Sequence, residues 1–151
     1  MEQIEHAAPG RILYFDTDSV IFVSRPGVID PPTGDFLGDL TNELKPGQHI
    51  QEFVSLGPKT YGYQTNDGKT CVKVKGFTLN GATDEVVNFN SLKLMLDRTT
   101  VTNVPQNYLK RNLSSLRISD QHMDKKCKFT FSKRRIVDDQ FNTLLFGYCD
   151  L

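Results

Sequence analysis

The stretch Arg11-Ile-Leu-Tyr-Phe-Asp-Thr-Asp-Ser-Val-Ile-Phe-Val-Ser24 decides how the rest of this chain is read. Ile12 to Phe15 and Val20 to Val23 have the β-branched and aromatic composition of strands. The four residues between them, Asp16-Thr17-Asp18-Ser19, are turn formers, so the stretch predicts a β-hairpin. Neither strand alternates apolar with polar residues, which predicts that both faces are covered and that the hairpin is central to its sheet. Two carboxylates at the tip of a covered hairpin repel each other and lose hydration, a cost that a divalent metal ion would relieve.

The chain has 151 residues, enough for one domain with a core or for a piece of a larger protein. No apolar segment is long enough to span a bilayer, and Met1-Glu-Gln-Ile-Glu-His6 is acidic where a secretion signal would be basic and then apolar. The expectation is an intracellular, non-secreted protein. Cys71, Cys127 and Cys149 are odd in number and widely spaced, without a Cys-x-x-Cys pair, and read as reduced thiols. The formal net charge is zero, but its distribution is lopsided. Residues 1–55 hold nine acidic side chains against three basic ones, and residues 56–151 hold fifteen basic against nine acidic. Such a split suits metal ions in one region and nucleic-acid phosphates in another, and equally suits a solvated surface.

After the hairpin, Arg25 to Gly34 is dense in Pro and Gly and reads as a surface loop. Ile50 to Leu56 reads as a strand, Gly57-Pro58 punctuates it, and Lys59-Thr-Tyr-Gly-Tyr63 opens another. Asn66-Asp-Gly68 is a hairpin turn. In Thr70-Cys-Val-Lys-Val-Lys75, alternation puts Cys71, Lys73 and Lys75 on one face and Val72 and Val74 on the other. A helix is predicted from about Asn88 to Asp97, with Thr83-Asp-Glu85 or Asn90-Ser91 as N-caps. Thr99 to Asn103 and Lys128 to Phe131 look extended. Lys125 to Arg135 interleaves six cations with Phe129 and Phe131, a composition that tracks a phosphate backbone or protects an exposed edge strand.

Three chemistries use Asp-x-Asp after an apolar strand. Nucleotidyl transfer holds two metal ions on such carboxylates. Haloacid-dehalogenase-type phosphatases use the first aspartate as nucleophile and the second as general acid, with Asp138-Asp139 as the conceivable metal pair here. Nucleotide-sugar glycosyltransferases bind manganese and a diphosphate. A plain solvent-exposed turn is the bland reading. The phosphatase and glycosyltransferase arrangements follow a strand of a mostly parallel sheet with helical crossovers, whereas here a second apolar strand follows at once. Hairpin-tip carboxylates favour nucleotidyl transfer.

Tyr14-Phe-Asp-Thr-Asp-Ser19 resembles the Tyr-x-Asp-Thr-Asp-Ser signature in the palm of family B DNA polymerases, and Gly57-Pro-Lys-Thr-Tyr61 resembles the family's Lys-x-Tyr motif. Phe36 to Leu44, Val72-Lys-Val-Lys-Gly-Phe77 and Thr143-Leu-Leu-Phe-Gly-Tyr148 are similar to stretches of its protein-primed viral, organellar and large-transposon branch. The resemblance implies an α+β fragment, an antiparallel palm sheet with a central β-hairpin plus a partial thumb. Its implied divisions are an N-terminal extension at 1–10, a palm part at 11–56, a Lys-x-Tyr strand region at 57–80 and a partial thumb at 81–151. It implies Asp18 and Asp16 as catalytic metal-site residues for two Mg2+ or Mn2+ ions, a site completed by residues outside this chain. Tyr14 and Thr17 would lie around the incoming nucleotide, and Lys59 and Tyr61 would grip the primer terminus; Lys73 and Lys75, on the basic strand face, are added here as duplex contacts. The implied partners are a DNA primer-template, deoxynucleoside triphosphates and a terminal priming protein, at the nucleus or a site of viral or transposon replication. The Asp-x-x-Ser-Leu-Tyr-type and fingers motifs of the family are not among these residues, so the isolated chain is expected to be catalytically inert. A catalytically dead remnant that binds DNA or a partner protein is the competing expectation.

Overall fold

The computed structural model describes residues 2–130, 134–139 and 142–145. All strand pairs among them are antiparallel, and strand outweighs helix, as an α+β chain requires. The chain separates into two compact units, Met1–His49 and Ile50–Leu151. No helix among the described residues is long and apolar enough to cross a membrane.

In the first unit, helix α1 (Glu2–Ala7) precedes strands β1 (Ile12–Asp16) and β2 (Ser19–Phe22). The Glu5 carboxylate accepts hydrogen bonds from the backbone N–H groups of Gly10 (2.9 Å) and Ile12 (3.2 Å), tying the helix to the start of β1. These two bonds hold the Glu5 carboxyl below its ordinary range. The predicted hairpin forms, but among the described residues its sheet has two strands only, with Leu13 46% and Phe15 55% exposed. The expectation of a central hairpin covered on both faces is therefore corrected. Burial alternates along β1, with Ile12, Tyr14 and Asp16 half-buried, so an apolar composition on both faces does not by itself put a neighbour on each.

Behind the hairpin the unit is organised by Arg11, whose side chain is fully buried. Its Nε donates to the Val23 carbonyl (2.7 Å), Nη1 to the Ile29 carbonyl (3.3 Å) and Nη2 to the Asp30 carboxylate, while the guanidinium lies 5.3 Å from the Phe22 ring centre. Asp30 also accepts from Ser24 Oγ (2.6 Å); that bond and then the Arg11 guanidinium hold its carboxyl below the usual range. A planar fork with five donors can bind three acceptors at once, which is how one residue joins the loop at 24–30 to the base of β1.

The second unit is built on strands β3 (Ile50–Gly57), β4 (Thr60–Thr65) and β5 (Thr70–Val74), in that spatial order. Paired residues share a face, and the pairs Val54↔Gly62 and Gly62↔Val72 define the inner one. Helices α2 (Gly81–Asp84) and α3 (Phe89–Leu94) follow, and α3 runs on into a 3-10 turn at Met95–Asp97, as the helix predicted over 88–97 requires. The N-caps differ from those expected: Asn80 and Asn88 each accept from the backbone three residues on, and Thr83 and Ser91 return the bond. Each such cap is worth about 1 kcal/mol.

Against the inner sheet face lie Phe89, Leu92 and Met95, which with Val54, Leu56, Val87, Val104 and Cys127 form the core. Each fully buried large side chain here contributes roughly 1.5–3 kcal/mol of transfer free energy. Gly62 is the point of closest approach: a Cβ there would lie 3.2 Å from both Leu92 Cδ1 and Phe89 Cδ2 and 3.3 Å from the Cys71 carbonyl oxygen.

Strands β6 (Val101–Asn112) and β7 (Arg117–Lys128) make a two-stranded ribbon of twelve residue pairs, much longer than the extended pieces expected at 99–103 and 128–131. Its root is anchored by buried Val104 and Cys127. Buried Gln106 adds a paired contact, its Oε1 accepting from Thr78 N (2.8 Å) and its Nε2 donating to Thr78 O (3.2 Å). Beyond β7, Thr130 N donates to the Leu56 carbonyl (2.9 Å). Strands β8 (Arg134–Ile136) and β9 (Thr143–Leu145) form a further short pair. Phe131 and much of the expected Thr143–Tyr148 motif lie outside the described residues.

Candidate functional site

Both sequence motifs sit on the tips of two-residue hairpin turns. In the first unit Asp16 pairs with Ser19, leaving Thr17 and Asp18 as the turn. Thr17 takes a left-handed φ of 54°, which a β-branched residue adopts at a cost of about 1–2 kcal/mol. The turn is held from within: Ser19 Oγ donates to the Asp16 carbonyl (3.1 Å) and Thr17 Oγ1 to Asp16 Oδ1 (3.4 Å). Asp16 is half-buried and Asp18 exposed at the tip. Tyr14, two residues before Asp16 on β1, shares its face and is also half-buried.

These two carboxylates present hard oxygen donors from one short turn, the donor type that Mg2+ or Mn2+ prefers. Among the described residues no group of three or more His, Cys, Asp or Glu side chains is placed to hold a metal ion. Asp16 and Asp18 are of the donor type that fits a divalent cation, and a bound ion would need further ligands beyond these two. The Asp138-Asp139 pair weighed for a phosphatase is engaged differently, since Asp138 accepts from Asn142 N (3.0 Å) and Nδ2 (2.6 Å). β2 returns antiparallel immediately after the aspartates, so they do not follow a strand of a parallel sheet as the phosphatase and glycosyltransferase arrangements require.

In the second unit Gly57 pairs with Thr60, leaving Pro58-Lys59 as the turn. Proline pre-sets the first turn position, and Lys59 follows with a left-handed φ of 57°, at a position that favours Gly or Asn. The β3–β4 turn therefore pushes an exposed lysine out at its tip. Tyr61 lies on β4 between Ser55 of β3 and Lys73 of β5. Its ring is 6.0 Å from that of Phe53, tilted by 35°. The outer face of the sheet thereby groups Phe53, Tyr61, Tyr63 and Lys73, opposite the α3-covered face. Predicted Tyr61 and Lys73 are brought together as direct cross-strand neighbours, and Lys59 stands one turn away on the same hairpin. Lys75 lies just past β5, its backbone N–H donating to Thr60 Oγ1 (3.3 Å).

Sequence reasoning passed over Arg11, Phe53 and Gly62. Arg11 and Gly62 position the neighbours of the motifs: Arg11 fixes the base of β1, and Gly62 sets how closely β4, and so Tyr61 beside it, approaches α3. A glycine inside a strand pattern is the signal for close backbone approach, so Gly62 was findable. Comparison of the chain with protein families, with curated proteins and with solved structures finds no match.

Proposed function

We propose that this chain is the C-terminal palm and thumb portion of a protein-primed-type family B DNA polymerase, contributing to template-directed nucleotidyl transfer by two metal ions. One observation carries the reading. Of four non-glycine residues with left-handed φ among the described residues, two, Thr17 and Lys59, occupy the two motifs that resemble that family, each at the tip of a two-residue hairpin turn. Strained backbone held by its surroundings concentrates at functional sites.

On this reading Asp18 and Asp16 hold the divalent ions, and Thr17 keeps Asp16 oriented through its hydroxyl. Bound metal supplies activation of the primer 3′-hydroxyl and neutralisation of the departing pyrophosphate. Tyr14 lies beside the triphosphate site. Lys59 and Tyr61 hold the primer terminus, with Lys73 beside them, by contacts that position a phosphate backbone without reading sequence. The ribbon β6–β7 and helices α2 and α3 constitute the thumb part. Two carboxylates from one turn make half a two-metal site, so the chain alone synthesises no DNA. That same shortfall favours a second reading, a non-catalytic module that binds DNA through the Lys59–Lys75 region.

The test follows the hairpin amides by NMR while Mn2+ is added to the 151-residue protein, with and without a recessed-3′-end duplex. The expected result is paramagnetic broadening centred on residues 16–19 that Asp18→Asn abolishes, together with binding of the duplex that Tyr61→Ala weakens about tenfold. Broadening absent at tens of millimolar Mn2+, with DNA binding intact, would leave the module reading. Metal-dependent primer extension by the isolated chain, lost in Asp18→Asn, would overturn its inertness.

A further inference from the structure

Below the Pro58-Lys59 turn the second unit contains a cavity of about 190 Å3, lined by Pro58, Thr60, Lys75, Phe77, Lys126, Cys127, Lys128 and Thr130. It is several times larger than the ~30 Å3 share of one water molecule. Among the described residues three lysines border it and no carboxylate does. Lys126 and Lys128 stand two apart on β7 and so point to the same side of the strand. Lys75 enters from the end of β5, held there by its backbone bond to Thr60 Oγ1. Because that hydroxyl oxygen accepts from Lys75 N, its own proton is available to an acceptor in the cavity. Cys127, between Lys126 and Lys128, turns the other way into the core.

Three exposed lysines bordering one concavity concentrate positive charge there, and an anion with several acceptor oxygens would offset it while accepting hydrogen bonds from them. The cation next to Lys126 on β7 is otherwise occupied, Lys125 Nζ donating to the Gly76 carbonyl (2.7 Å). We propose that the cavity between the β4–β5 end and the end of β7 binds a phosphate group, with Lys75, Lys126 and Lys128 as the cationic ligands and Thr60 as a hydroxyl donor. The phosphate comes either from a nucleic-acid backbone or from a free phosphate compound. Of these residues only Lys75 has a part in the polymerase reading, and the test needs neither metal nor synthesis, so either proposal can fail without the other.

The experiment measures binding of a fluorescent oligonucleotide duplex to the full chain by anisotropy, from 50 to 200 mM salt. It also follows the amides of Thr60, Lys75 and Lys128 by NMR during addition of inorganic phosphate. Lys126→Gln/Lys128→Gln is expected to weaken duplex binding about tenfold and to lower the salt slope by about 2, while Lys126→Arg/Lys128→Arg retains it. The charge-matched control Lys69→Gln/Lys93→Gln removes lysines already paired to Asp67 and Glu52 and is expected to change binding less than twofold. Phosphate shifts at the cavity amides that the duplex reverses identify the nucleic-acid source; shifts without duplex binding identify a free phosphate compound. Overturning the proposal requires cavity amides that neither ligand moves, or a control variant that weakens binding as much as the cavity variant.

Discussion

Replacing Gly62 by alanine puts one methyl group where the sheet and α3 touch. Its carbon would sit 3.2 Å from Leu92 Cδ1 and Phe89 Cδ2 and 3.3 Å from the Cys71 carbonyl oxygen, inside the ~3.5–4.0 Å optimum for carbon contacts. Something has to move by a few tenths of an ångström. Leu92 is 0% and Phe89 4% exposed, and the third neighbour is backbone, so none of the three has open space to retreat into. Overpacking of this kind costs about 1–3 kcal/mol. The lost flexibility of the unfolded chain returns about 0.4–1 kcal/mol. The expected net loss is about 1–2 kcal/mol, read as a lower urea midpoint at unchanged m-value. Leu92→Ala alone should cost roughly 2.7–5 kcal/mol through its cavity. In the double variant the new methyl group enters that space, so the two losses combine to less than their sum by about 1 kcal/mol. An alanine variant as stable as the parent, or a double variant with strictly additive losses, would refute the close-approach argument. Strain that persists should also displace neighbouring Tyr61, and under the proposed function it would weaken duplex binding more than the stability change alone accounts for.

Arg11→Met leaves three acceptors without their shared donor; with Asp30 40% exposed and able to rehydrate, a loss of about 2–3 kcal/mol is expected in chemical denaturation, and a loss below ~0.5 kcal/mol would contradict the organising role. Thr17→Asn, which tolerates a left-handed φ, should stabilise the hairpin by about 1 kcal/mol in thermal unfolding; a destabilised variant would show that the hydroxyl bond to Asp16 outweighs the strain. Asp97 accepts from Thr100 Oγ1 and from the backbone of Thr100 and Thr99, which hold its carboxyl at about 2. Since its folded pKa lies below the unfolded one, the unfolded chain takes up its proton first: the contribution is full above about pH 4 and is lost as pH falls toward 2. Asp97→Asn should therefore flatten the rise of stability with pH in that window, and identical pH profiles would count against the assignment.

Much of the second unit was legible because its residues obey local rules. Alternation in Thr70–Val74, the turn at Asn66-Asp-Gly68 and helical spacing after Asn88 each correspond to an element with nearby bounds. The caps were missed because asparagine, threonine and serine cluster there, and composition does not tell the residue that accepts from the one that returns the bond. The long ribbon was missed because most of its residues face water on both sides, so no apolar stripe marks β6 or β7 except near Val104 and Cys127. The first hairpin was legible as a hairpin, yet its burial was misjudged: Leu13 and Phe15 look like core residues in the sequence and stand half-open in the fold. Of the site, the chemistry of Asp16, Asp18, Lys59 and Tyr61 could be read from residue types. The strain at Thr17 and Lys59 and the cavity bordered by Lys126 and Lys128 depend on turn geometry and on pairings distant in sequence.

The ribbon β6–β7 behaves as an adjustable ruler. Its root is fixed at buried Val104, Gln106 and Cys127, while Lys110 to Asp120 are all exposed. Matched additions of one residue to each strand near residues 112–117 would lengthen it by about 3.4 Å per pair without disturbing the root register. Backbone hydrogen exchange should run as a gradient, fastest at the tip and slowest beside Val104. Such an arm can change its reach without altering the core that carries it.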